Sequence, residues 1–99
     1  MNNECMLNII RDLINKYLNS FIDKNEMYLQ LLNRISLLDV IEIEDELLNE
    51  SYSAIYHMNE KYCDVTNDEL MYYMDCINEK NTFSRFERDR IILSSSKII

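Results

Sequence analysis

Glycine, proline and tryptophan are all absent from the 99 residues. Without glycine there are no Gly-rich loops to cradle phosphate and no two-residue glycine hairpins; without proline there are no proline-set turns. A nucleotide-binding α/β domain or a small β protein leans on those residues, whereas a helix bundle does not. The expected fold is all-α: an up-down antiparallel four-helix bundle with a short fifth helix near the C-terminal end. The length suits one domain over residues 1–99, its core at about 4–79 and its segment 82–99 packed on that core or partly frayed.

Basic residues are scarce too. Ten Lys and Arg stand against eighteen Asp and Glu, for a net charge of −8 and a pI near 4.5. Phosphate backbones and anionic lipid both need neutralising cations, so neither nucleic acid nor a membrane surface is an expected partner. A basic protein is, because opposite fields speed encounter and orient it. The acidity is also local. Residues 1–38 are neutral overall, residues 39–79 carry −11 with Lys61 as their one base, and residues 80–99 carry +3.

Leader and span signals are missing as well. Met1 to Glu4 hold no basic residue, and Arg11 and Asp12 break the apolar stretch that follows, so no secretory signal is expected. The longest unbroken apolar run, Leu70 to Met74, is far too short to cross a bilayer. Three cysteines, Cys5, Cys63 and Cys76, are an odd and sparse set that fits a reduced, cytoplasmic protein better than a disulfide scaffold.

What is present is helical periodicity. Leu7, Ile10, Ile14, Tyr17, Leu18 and Phe21 mark a first helix at roughly 4–20, flanked by Met6, Ile9 and Leu13. Asp23 with Glu26 has capping-box spacing and opens a second helix, whose stripe is Tyr28, Leu31, Leu32, Ile35 and Leu38. Residues 37–43 alternate partially and read as an irregular connection, with a short strand as the alternative. A third helix at about 44–62 buries Leu47, Leu48, Ala54, Ile55, Met58 and Tyr62. Thr66 with Glu69 starts a fourth at about 67–79, its core side Leu70, Tyr73, Met74 and Ile77. Ser84 with Glu87 starts the short fifth helix at 85–94, with Phe83 and Phe86 expected to pin it to the bundle. Arg85, Arg88 and Arg90 are interleaved with Glu87 and Asp89, so they are expected to pair with the acidic helices or to cap a helix end.

Catalysis finds little support. His57 is the only histidine and falls mid-helix, away from the core stripe, as a solvated side chain would. His57, Cys63 and Cys76 could converge on a metal, but their spacing matches no zinc motif, and Glu would have to supply a fourth ligand. No catalytic residue, metal or cofactor is assigned.

The polar faces say more. At 100° per residue the third helix groups Asp45, Asn49, Tyr52, Tyr56 and Glu60, and the fourth aligns Asp68, Tyr72, Asp75 and Glu79. A solvated helix face usually mixes Lys with Glu at i, i+4; here like charges repel, and tyrosine stands among them. Tyrosine is enriched at interface hot spots because it brings large rigid area and a polar tip. These eight residues, Asn49 apart, form the candidate partner-binding set. The alternative is that Tyr56 and Tyr72 pack over neighbouring loops and the acidity maintains solubility.

The run from Asp45 through Glu46, Leu47, Leu48, Asn49 and Glu50 to Asp64, followed by Thr66-Asn-Asp-Glu-Leu-Met-Tyr-Tyr-Met-Asp-Cys-Ile77, resembles the colicin-D-type self-protective immunity proteins. The likeness is one of pattern, length and charge over roughly residues 7–79; the tail from Thr82 lies outside it. It implies a small acidic helical bundle that binds the nuclease domain of a bacteriocin or contact-dependent inhibition toxin. Such toxins cut tRNA, so the resemblance implies a non-catalytic inhibitor that presents carboxylates to a basic, RNA-holding cleft. Contacts would fall to Asp45, Tyr52, Tyr56, Glu60, Asp68, Tyr72, Asp75 and Glu79. A phage-type nucleic-acid mimic that blocks a host nuclease shares the acidity but would spread it along a longer face. A homodimer is open as well, given the exposed tyrosines and the broad apolar face of the first helix.

Overall fold

Polar side chains set most of the helix starts. In a computed structural model of the chain, which describes residues 1–61 and 65–95, Asn2 accepts from the Cys5 amide at 2.8 Å and opens α1, Asn3–Leu18. Asp23 accepts from the Glu26 amide at 2.8 Å and opens α2, Lys24–Arg34. α3 spans Leu37–Ile43. Asp45 accepts from the Leu48 amide at 2.8 Å at the head of α4, Glu46–His57. Thr66 does the same for Glu69 at 3.2 Å before α5, Asn67–Ile77, and α6 runs Arg85–Ser95. Each such contact satisfies a first-turn amide that has no partner inside its own helix.

The helix ends are closed without glycine. Ser20, Glu44 and Glu79 take the left-handed conformation, at φ 63°, 57° and 62°. After α1 the Phe21 amide returns to Lys16 O at 2.9 Å and the Ser20 amide to Tyr17 O at 3.0 Å. After α5 the Lys80 amide returns to Asp75 O at 2.9 Å and the Glu79 amide to Cys76 O at 3.1 Å. Both are Schellman closures, in which a serine and a glutamate stand where glycine is usual.

α1 packs against α2, α4 and α5, while α2 packs against α4 and α4 against α5. The core lies between these four helices: Met6, Ile10, Leu13 and Ile14 from α1 meet Met27 and Leu31 from α2, Leu48 and Ile55 from α4, and Leu70 and Tyr73 from α5. α3 leans on α4, and α6 on α5. Arg34 pins α2 to α1 through Asp12 at 3.1 Å, and Lys16 shares that carboxylate at 3.2 Å. The molecule measures 43 × 28 × 22 Å. Among the described residues all regular structure is helical, as expected for an all-α chain.

Several expectations are corrected. Residues 37–43 are a helix, neither an irregular connection nor a strand. Val40 is buried and Ile43 half-buried, while Leu37, Leu38 and Ile41 stay exposed, so the apolar residues do not make one helical stripe. Phe21 is 79 % exposed because it lies beyond the Schellman turn, where helical periodicity no longer applies. Leu32 and Leu38 are exposed, and Met27 holds the inner side of α2 instead. α4 ends at His57, with Met58 buried just beyond, and Tyr62 lies outside the described residues. Phe83 packs on the core, but Phe86 is 80 % exposed and pins nothing.

Candidate functional site

α4 is the shared wall of two surface regions. One is a groove of about 450 Å³ between α3 and α4, lined by Leu37 and Val40 on one side and by Asn49, Tyr52, Ser53 and Tyr56 on the other. Tyr52 and Tyr56 sit one helical turn apart and so present their rings together. Their ring centroids are 6.2 Å apart and nearly parallel. Tyr28 of α2 meets Tyr56 edge-on at 5.6 Å, and His57 meets it edge-on at 5.3 Å. Tyr52 is only 3 % exposed, and its hydroxyl is sealed from solvent with no hydrogen-bond partner among the described residues. Burial, and secondarily the nearby Tyr56 and Tyr28, push this phenol above its ordinary range.

The second region joins α4 to α5 and α6. Glu50 takes Arg88 at 2.7 Å and Arg85 at 3.0 Å, and Arg85 also approaches Glu46 at 3.6 Å. Arg90 pairs with Glu87 on its own helix. The expected pairing of the basic tail with the acidic helices is thus present for Arg85 and Arg88. Beneath them Tyr73 donates to the buried Glu69, and burial pushes the Tyr73 phenol up, reinforced by that carboxylate. Desolvation of Arg88 is more than offset by Tyr73 and Glu50, which hold the guanidinium charged.

The eight candidate residues do not form one surface. Asp45 is engaged inside the fold, capping α4 and accepting from the Asn3 side chain at 2.8 Å. Tyr56 is the partly exposed tyrosine of the groove. Glu60 pairs with His57 at 2.5 Å. Asp68 is exposed in the first turn of α5, where a carboxylate suits the helix dipole. Asp75 is half-buried. Glu79 is exposed at the far end of α5, beside Arg11 and Asn8 of α1.

Tyr52 and Tyr72 are corrections to the solvated-face expectation: both are buried. Tyr52 is covered because α3, unforeseen as a helix, lies over that edge of α4. Tyr72 is covered by the chain entering α6, where its hydroxyl accepts from the Ser84 amide at 2.9 Å and its ring meets Phe83 at 5.9 Å. Packing over a neighbouring loop, the alternative reading of Tyr72, is what the structure shows.

Leu37, Val40 and Ser53 line the groove and Tyr28 stands edge-on to Tyr56, though the sequence assigned none of them to a site. The available signal was Leu37, Val40 and Ile41, apolar residues with no place on any stripe. Cys63 of the metal alternative lies outside the described residues, while His57 is exposed on Glu60 and Cys76 is buried, with burial raising its thiol. Among the described residues no helix is long and apolar enough to cross a membrane. Comparison with protein-family models, with curated proteins and with solved structures finds no match for this chain.

Proposed function

We propose that this protein is a cytoplasmic immunity protein, a stoichiometric and non-catalytic inhibitor of a basic, tRNA-cleaving bacterial toxin. Its acidic face occludes the cleft that holds the RNA. The reading includes an up-down course for α1, α2, α4 and α5. The observation that supports it is the separation of charge. Within the −11 segment Glu42, Glu44, Asp75 and Glu79 make no ion pair among the described residues. These carboxylates cost repulsion in the free protein and are available to cations from outside. Tyr56, partly exposed on α4, supplies aromatic area, and Tyr72 holds α5 to the chain entering α6.

The decisive experiment is co-purification of the tagged protein from its native host at low salt. A basic toxin fragment recovered at one-to-one stoichiometry is expected. The variant carrying Asp68→Lys, Asp75→Lys and Glu79→Lys should stay folded and lose that partner. Retained affinity in the folded triple variant would move the interface elsewhere, and recovery of a DNA-processing complex would favour a nucleic-acid mimic.

A further inference from the structure

We infer that the edge formed by α2, α3 and α4 is the interface of a two-fold homodimer, in which aliphatic side chains of α3 from one copy enter the α3–α4 groove of the other. The inference goes beyond the immunity reading and does not rest on it.

Three observations converge. The first is the outer side of α3. Leu37, Leu38 and Ile41 are 49 %, 69 % and 57 % exposed. At 3.6 residues per turn they share about 140° of arc with the exposed Glu42, while Val40 and Ile43 take the inner side. α3 therefore presents an aliphatic ridge to solvent with Glu42 at its rim.

The second is the groove beside that ridge. Leu37, Val40, Tyr52 and Tyr56 give it apolar walls, and Glu50, the acid in its lining, is already held by Arg85 and Arg88. The groove thus calls for no charge, and its 450 Å³ has room for more than one aliphatic side chain. Leu37 belongs to both ridge and groove, so the two lie side by side on one face. Such a face is self-complementary: a two-fold rotation brings each ridge to the groove of the other copy.

The third is the charge along the face. Asn25 meets Asn59 at 3.5 Å and Tyr28 meets Tyr56 at 5.6 Å, so α2 runs antiparallel beside α4 towards α3. Lys24 stands exposed at one end of this face and Glu42 at the other. Neither makes an ion pair among the described residues. An antiparallel apposition sets Lys24 of each copy against Glu42 of the other. Any occupant must bring an anion, an aliphatic ridge and a cation in reverse order, and a second copy carries all three. Residues 24–43 hold two bases and three acids, so two copies meet there with little repulsion although each chain carries −8.

The area agrees. With Leu32, 42 % exposed one turn beyond Tyr28, the apolar surface is on the order of 400 Å² per copy, within the range of functional patches. Two copies with their polar rims hide on the order of 1,000 Å², the lower end of specific interfaces, so the dimer is reversible and micromolar.

The test is sedimentation equilibrium of the whole protein from low to high micromolar concentration, where a monomer–dimer equilibrium is expected. Leu38→Glu and Ile41→Glu should each weaken it about tenfold, while in dilute solution both unfold like the parent. Lys24→Glu and Glu42→Lys should each weaken self-association about fivefold, and an equimolar mixture of the two should recover it, since the mixed pair again sets opposite charges at both ends. Charges that acted only within their own helix would give no such recovery. Phe86→Glu, on the exposed side of α6, should leave the dimer intact. A monomer at every concentration, a dimer unmoved by Ile41→Glu, loss of the dimer in Phe86→Glu, or a mixture no stronger than its components would each overturn the interface. Asp75 and Glu79 lie on α5, outside this face, so the two proposals fail separately. A monomeric chain that captures a basic toxin sinks the dimer and keeps the immunity reading, and a dimer that captures none does the reverse.

Discussion

Ser20 and Glu79 occupy backbone positions that cost a residue with a Cβ roughly 1 kcal/mol, and they do so because the chain offers no glycine. Ser20→Gly and Glu79→Gly are each expected to raise unfolding free energy by about 0.5–1 kcal/mol in urea titrations, the gain trimmed by the freer unfolded chain. Tyr72 carries the opposite kind of prediction. Its hydroxyl accepts from the Ser84 amide at 2.9 Å, so Tyr72→Phe leaves that amide without its partner. A loss of about 1–2 kcal/mol is expected in the same assay. By contrast Tyr52→Phe, a chemically identical change one helix away, removes a hydroxyl that has no partner to lose.

Among the elements, α3 and α6 behave unlike the four helices that surround the core. α3 buries Val40 and exposes most of its other apolar side chains. Val40→Ala is expected to cost about 2 kcal/mol, and Leu38→Lys less than about 0.5 kcal/mol, both read from chemical denaturation. α6 is held by charge, by its entry past Tyr72 and by Ile91, which packs on the core, while Phe86 and Leu93 face solvent. Arg88, with a side chain only 15 % exposed, carries the contact to Glu50. Arg88→Met should speed hydrogen exchange across residues 85–95 and leave α1 and α2 protected, because the ion pair is local to the α4–α6 seam.

For the whole molecule, charge links stability and encounter to solution conditions. Asp12, between Arg34 and Lys16, has its carboxyl held below its ordinary value of 3.8; partial burial acts upward but hydrogen bonds from both cations outweigh it. A lowered folded-state pKa means the α1–α2 clamp contributes above about pH 4 and is lost as pH falls through the folded value. The parent should therefore lose its advantage over Asp12→Asn between about pH 5 and pH 2, by less than about 1 kcal/mol, since these side chains are about two-fifths exposed. On the proposed reading, association with a basic partner slows as salt rises, while dissociation changes little; stopped-flow mixing at several ionic strengths would check this.

Composition and periodicity determined the all-helical class, because a chain without glycine or proline and with repeated three-and-four spacing has few other ways to bury its apolar residues. The caps at Asp23 and Thr66 were equally local, each depending on residues within three positions along the chain, whereas Asp45, read as a contact residue, proves to be the cap of α4. The segregation of charge was legible for the same reason. Tertiary packing decided what periodicity cannot express. Residues 37–43 form a helix although their apolar residues face two ways, since Val40 has α4 to pack against. Tyr52 and Tyr72 fall on the polar sides of their own helices, yet each is covered by an element distant in sequence: α3 for one and the entry to α6 for the other. A helical wheel knows only its own axis. Whether an outward side chain meets water or a neighbour depends on where the rest of the chain folds back, and that choice turned two candidate contact residues into a hidden hydroxyl and a structural clasp.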